Sequence, residues 1–117
     1  MTGPAVLLRA ESVVLLAGAV ALYARNGTSW WLFLAVILAP DLAALGYLAG
    51  SAAGTAAYNL AHCAALPGLV ALVGLGLERP TLLAVALIWF AHIAGDRAIG
   101  YGLKYAGAAK GSHLQRV

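Results

Sequence analysis

Glu11, Asp41, His62, His92 and Asp96 are of types that can carry acid–base chemistry, and each is set in a run of Ala, Leu, Val and Gly. A carboxylic acid removed from water among such neighbours is favoured in its neutral form and can serve as a general acid. A second carboxylate, kept ionised by Arg97, could act as base or steady a developing cation. Asp41 and Asp96 are therefore the expected acid–base pair, with Glu11 as auxiliary and His62 and His92 as proton relays. Asn59 and Arg97 would position a substrate, and Tyr58, Trp89 and Tyr101 would line an apolar pocket and stabilise positive charge through their ring faces. Such a site suits proton-initiated isomerisation, cyclisation or epoxide opening of a lipophilic, isoprenoid-like molecule.

These groups need elements to hold them, and the composition says which kind. The 117 residues are 63% hydrophobic and 9% charged, with a mean hydropathy of +0.91, whereas soluble domains carry roughly 25% charged residues. An integral membrane protein is expected, with the lipid bilayer as its first partner. The net charge of +3 comes from basic residues placed singly along apolar segments. They form no basic stripe with interleaved aromatics, so no nucleic-acid partner is expected. Cys63 is the only cysteine, which excludes an internal disulfide, and it reads as a small packing residue.

A bilayer core of about 30 Å needs about 20 apolar helical residues. Four such runs stand between turn signals, at residues 5–23, 30–48, 55–77 and 81–105. Connections this short predict an all-α, up-down four-helix bundle occupying one domain, 1–117. Thr28 or Ser29 can cap the second run, and Glu78, Arg79 and Pro80 make the last turn. Arg9, Lys104, Lys110 and Arg116 on one side outnumber Arg25 and Arg79 on the other. Both termini are thus expected in the cytoplasm, in a bacterial inner membrane.

Antiparallel spans also serve as rulers. Counted from the cytoplasmic end at about 1.5 Å per residue, Glu11, Asp41, Asn59, His62 and Asp96 fall at depths of about 6 to 13 Å, with His92 one turn deeper. They form one polar layer. Tyr58, Asn59 and His62 share a helical face, as do Trp89, His92 and Asp96. Arg97 lies about 100° round from Asp96 with Tyr101 one turn on, and Asp41 or Glu11 is its expected partner. A charge in the hydrocarbon costs at least about 2.5 to 3.5 kcal/mol, so the layer should face inward. Pro40 and Pro67 deprive the carbonyls of Val36 and Cys63 of their helical donors and could open a cavity between spans. Glycines at 46, 50 and 54 permit a close helix contact or a homodimer interface.

The segments "SWWLFLAVILAPDLAALGYLAG", "AAYNLAH" and "IWFAHIAGDRAIGYGLKY", with the closing "HLQRV", resemble the small bacterial membrane proteins grouped as domain of unknown function 4260. The resemblance runs from about Glu11 to the C-terminus. It implies a compact four-span fold and carries no activity with it.

Other readings use the same residues. Glu11, Asp41, Asp96 and Arg97 could form an ion-pair network that fixes helix register, although one or two polar groups would be enough for that. A proton-coupled transporter is suggested by likeness to the small multidrug exporters, which share the length, the four spans and a glutamate in the first, but not the mixed-charge layer. Metal or haem binding through His62 and His92 is a third reading. No Glu-x-x-His pair lies on one helix, so neither a metal nor another cofactor is expected.

Overall fold

The computed structural model describes residues 3–101 and 103, and they are helical almost throughout. Helix α1 spans Gly3–Asn26 and ends where Gly27 takes a left-handed φ of 75°. Ser29 then caps α2, Trp30–Val36, its side chain accepting from the Trp31 N–H at 3.2 Å. The chain continues as a 3₁₀ segment, Ala39–Ala49, followed by α3, Ser51–Ala61, α4, Ala65–Gly76, and α5, Pro80–Ile99.

Gly3–Asn26, Trp30–Ala49 and Pro80–Ile99 are each long and apolar enough to cross a bilayer. Ser51–Ala61 with Ala65–Gly76 makes a fourth only if this pair, bent by 40°, counts as one span. The expected run 30–48 is therefore not one α-helix, and 55–77 is two. The run expected to reach residue 105 stops at Ile99. There Gly100 adopts a φ of 106°, and the N–H groups of Gly100 and Tyr101 return to the carbonyls of Arg97 (3.2 Å) and Asp96 (2.8 Å). This paired closure ends a helix at a glycine. Lys104, Lys110 and Arg116, which entered the charge count, lie outside the described residues.

α1 and α5 pack along one another, and α4 also lies on α5, while the 3₁₀ segment packs on α3. Two contacts fix α1 and α5 as antiparallel. Arg9 Nη2 donates to the Ile99 carbonyl at one end (3.3 Å), and Asn26 Nδ2 donates to the Pro80 carbonyl at the other (3.1 Å). The residues buried between helices are mostly small, among them Ala5, Ser12 and Ala19 of α1 and Ala84, Ala86, Ala91 and Ala94 of α5. Leu7, Val14, Leu34, Leu42 and Leu72 face outward. That pattern suits a lipid solvent, in which burying leucine gains little and close backbone approach gains more. Gly54 allows the closest of these approaches, since a Cβ there would run into Tyr47, while one at Gly46 would lie 3.0 Å from Ala57 Cβ. A larger cluster, Tyr23 with Leu87 and Ile88, seals the α2 end, where the Tyr23 ring meets Trp30 and Phe33 at 4.9 and 5.2 Å.

Candidate functional site

The chain between α1 and α5 breaks twice beside the polar residues, at residues 37–38 and 62–64, and the breaks build the site. Pro40 has no N–H, and its ring disfavours the α conformation in the residue before it. The Asp41 N–H then turns to the Leu38 carbonyl (3.0 Å), not to Ile37 as an α-helix would require. The Ile37 carbonyl is left free to accept from His92 Nδ1, at 2.6 Å. The second break follows the same logic. α3 ends at Ala61, and the Leu66 N–H bonds to the Cys63 carbonyl, bypassing His62. The Ala61 carbonyl accepts from Trp89 Nε1 (2.5 Å) and the His62 carbonyl from Arg97 Nη2 (3.4 Å). All three α5 side chains thus complete a backbone that the breaks left open, as buried carbonyls require.

These anchors bring Asp41, His62, His92 and Asp96 together. His62 Nε2 lies 3.2 Å from Asp41 Oδ1 and 3.5 Å from Asp96 Oδ2. His92 Nε2 lies 3.0 Å and 3.2 Å from the same two oxygens, and the two Nε2 atoms are 3.2 Å apart. One donor atom from each residue, all within 4.8 Å of one another, could hold a metal ion. The imidazoles are buried, whereas Asp96 keeps 24% and Asp41 51% of its side-chain surface. Asp41 is therefore the accessible member.

The tautomers follow from the backbone. His92 Nδ1 faces the Ile37 carbonyl, and His62 Nδ1 faces the Tyr58 carbonyl at 2.9 Å. A carbonyl oxygen only accepts, so Nδ1 carries the proton in both rings, and a neutral imidazole then presents a lone pair at Nε2. Tyr58 stacks flat on His62, with centroids 3.9 Å apart, and holds that ring in plane.

Several expectations need correction. Glu11 is exposed on α1 and does not join the cluster, because the buried stripe of that helix runs through Ser12 beside it. Arg97 pairs with neither Asp41 nor Glu11. It reaches the His62 carbonyl, and its buried Nε has no hydrogen-bond partner among the described residues. Tyr101 lies past the end of α5 and is half exposed, so it is not a further turn of that helix. Tyr58 stacks on His62, and Asn59 beside it is half-buried. Pro67 does not orphan the Cys63 carbonyl, which accepts from Leu66. Reading residue types missed the partners supplied by the main chain, at Ile37, Ala61 and His62. The signal for them was the proline beside each break.

Room around the cluster is one-sided. The crevice among His62, Ile93, Asp96, Arg97 and Tyr101 admits no water-sized molecule. Val36, Ala39, Pro40, Ala61, Val85 and Trp89 line an open apolar groove of about 270 Å³, whose walls include none of the four clustered side chains. Pro40 and Ala61 adjoin Asp41 and His62 in sequence, and Trp89 precedes His92 by one turn. A larger apolar groove of about 450 Å³ lies between α1, α4 and α5, with Val14, Leu22, Pro67 and Phe90 among its walls.

Fold and site together define an all-helical protein with membrane-length apolar helices and a buried histidine–aspartate cluster at two helix breaks. The chain belongs to the family described as Domain of unknown function (DUF4260), whose model matches residues 5–117. No curated protein and no solved structure matches it.

Proposed function

We propose that this protein is a small intramembrane enzyme for a lipophilic molecule, with its chemistry at Asp41, His62, His92 and Asp96. It crosses a bacterial inner membrane four times as an up-down bundle, the bent α3–α4 pair being one span, with both termini cytoplasmic. The observation that carries the reading is the convergence of four ionisable side chains from the 3₁₀ segment, the α3–α4 break and α5, three of them one residue or one turn along the chain from walls of an open apolar groove. Groups so costly to place among lipid-facing helices are by default functional. Fixing register would need only one or two of them, and the breaks that assemble them would weaken a purely structural bundle.

The groove of about 270 Å³ is near the lower end of small-ligand pockets, roughly 300 to 1,000 Å³. Its apolar walls fit a short hydrocarbon or an isoprenoid unit. Asp41, next to Pro40 of the groove wall, is the most exposed of the four, and His92 Nε2 bridges Asp41 and Asp96 at 3.0 and 3.2 Å. A proton delivered at Asp41 can therefore be replenished from behind, as isomerisation, cyclisation or epoxide opening requires.

The test compares apolar extracts of cells producing the wild type, Asp41→Asn or Asp96→Asn, followed by incubation of those extracts with purified protein in detergent. A compound consumed or formed by the wild type alone, with all three proteins equally folded, is the expected result. Unchanged extracts together with gradient-dependent uptake into proteoliposomes would replace the enzyme by a proton-coupled transporter.

A further inference from the structure

The geometry points to a divalent transition-metal site formed by His62 Nε2, His92 Nε2, Asp41 Oδ1 and Asp96 Oδ2, with zinc the best fit. Five of the six donor-to-donor distances run from 3.0 to 3.5 Å, and the sixth, between the two carboxylate oxygens, lies within 4.8 Å, so the carboxylates would draw together on a bound ion. A tetrahedron around a metal with bonds of about 2.0 to 2.1 Å has edges of about 3.3 to 3.4 Å. Hydrogen bonding alone explains the cluster poorly. With both Nδ1 atoms donating to carbonyls, neutral rings would turn four lone-pair-bearing atoms on one another with no proton between them. One proton on His92 Nε2 would satisfy that ring against a carboxylate at 3.0 or 3.2 Å, yet leave His62 Nε2 with only a lone pair toward the same two oxygens, and charging both rings would set two Nε2–H groups 3.2 Å apart, head to head. A cation at the centre satisfies all four donors at once.

Charge and surroundings agree. Two neutral imidazoles and two carboxylates carry a formal charge of −2, which a divalent cation cancels inside an apolar bundle. Each histidine donates its other ring nitrogen to a main-chain carbonyl, at Tyr58 and Ile37, the arrangement that orients histidine ligands and raises their basicity. Two nitrogens and two oxygens favour zinc or a neighbouring first-row ion, whereas magnesium and calcium prefer oxygen alone. The half-exposed Asp41 is the ligand that water or a substrate would most readily displace, which is how a closed set of four becomes an open, reactive one. The inference stands on donor geometry and does not depend on turnover.

The test uses the full chain without a polyhistidine tag, purified in detergent free of chelator and measured by elemental analysis. About one equivalent of zinc or another first-row metal per chain is expected, as is cobalt(II) reconstitution with the visible absorption of a four-coordinate ion. His62→Ala and His92→Ala should each weaken zinc binding at least tenfold, whereas Glu11→Gln, at an exposed position on α1, should leave it unchanged. Helicity and monodispersity of each variant separate lost ligands from lost folding, and Asp41→Asn, at the exposed position, provides a mild ligand change. Less than a tenth of an equivalent after supplying zinc, cobalt, manganese and iron(II) in turn would overturn the site. So would undiminished binding by a folded His62→Ala/His92→Ala double variant. Metal bound without any turnover would sink the enzyme reading alone, and turnover by protein that takes up none of the four supplied metals would sink this one alone.

Discussion

α1 and α5 are continuous helices of 24 and 20 residues, whereas the chain between them, from Trp30 to Gly76, is divided into four shorter helical pieces. The continuous pair is held by small buried residues and by contacts at its two ends. The divided region is held by α5 side chains that reach its open carbonyls. Main-chain irregularity at membrane depth survives only where protein satisfies it, so the breaks and the site are one construction. Of the four clustered side chains, α5 supplies two from regular helix, and the divided region supplies Asp41 and His62 from its irregular points.

If that contrast is right, substitutions should hurt where the two regions meet and be tolerated along the continuous helices. The largest effect is expected for His92→Ala, which removes a buried ring and the donor to the Ile37 carbonyl. The cavity and the unsatisfied carbonyl together should cost about 2 to 5 kcal/mol, measurable by unfolding in mixed detergent micelles. A stability unchanged within about 0.5 kcal/mol would show that the regions meet elsewhere. Next comes Pro40→Ala, which lets α2 and the following segment anneal. Helical circular dichroism should rise while metal affinity or turnover falls about tenfold or more, because Ile37 would regain a helical donor and release His92. Equal function with higher helicity would show that the break is incidental.

Gly54→Ala places a Cβ against Tyr47 within the divided region and should cost about 1 to 3 kcal/mol as an overpacked contact. The smallest effect belongs to the continuous side. Gly18→Ala in α1 meets nothing within 4 Å and should stabilise by about 0.5 to 1 kcal/mol. Destabilisation there would mean that this face of α1 is covered by something beyond the single chain.

Much of this was legible in the residues, and the gaps have physical causes. Apolar run lengths and short connections predicted helices of membrane length, and helical phase put His92 and Asp96 on one face of α5. The depth ruler brought Asp41 and His62 to the same layer. It failed for Glu11 because depth says nothing about rotation. A heptad of small residues, Ala5, Ser12 and Ala19, marks the buried side of α1 and would have turned Glu11 outward. Gly100 likewise gave a stop signal for α5 that the continuing apolar pattern obscured. The cluster's closeness was only half marked: Pro40 and Pro67 flag the breaks, but it depends on α5 side chains meeting the carbonyls of Ile37, Ala61 and His62, and every residue has a carbonyl.

The order in which the chain is made gives these carbonyls a further meaning. Ile37, Ala61 and His62 leave the ribosome before α5, yet their acceptors are satisfied by Trp89, His92 and Arg97 of that helix. On the membrane reading proposed above, the divided region would meet the bilayer with these carbonyls unsatisfied until α5 arrives. A nascent chain halted before Pro80 should therefore be cleared by membrane proteases faster than the complete chain, as pulse-chase labelling would show. Equal lifetimes would mean that lipid or water fills in for the missing helix.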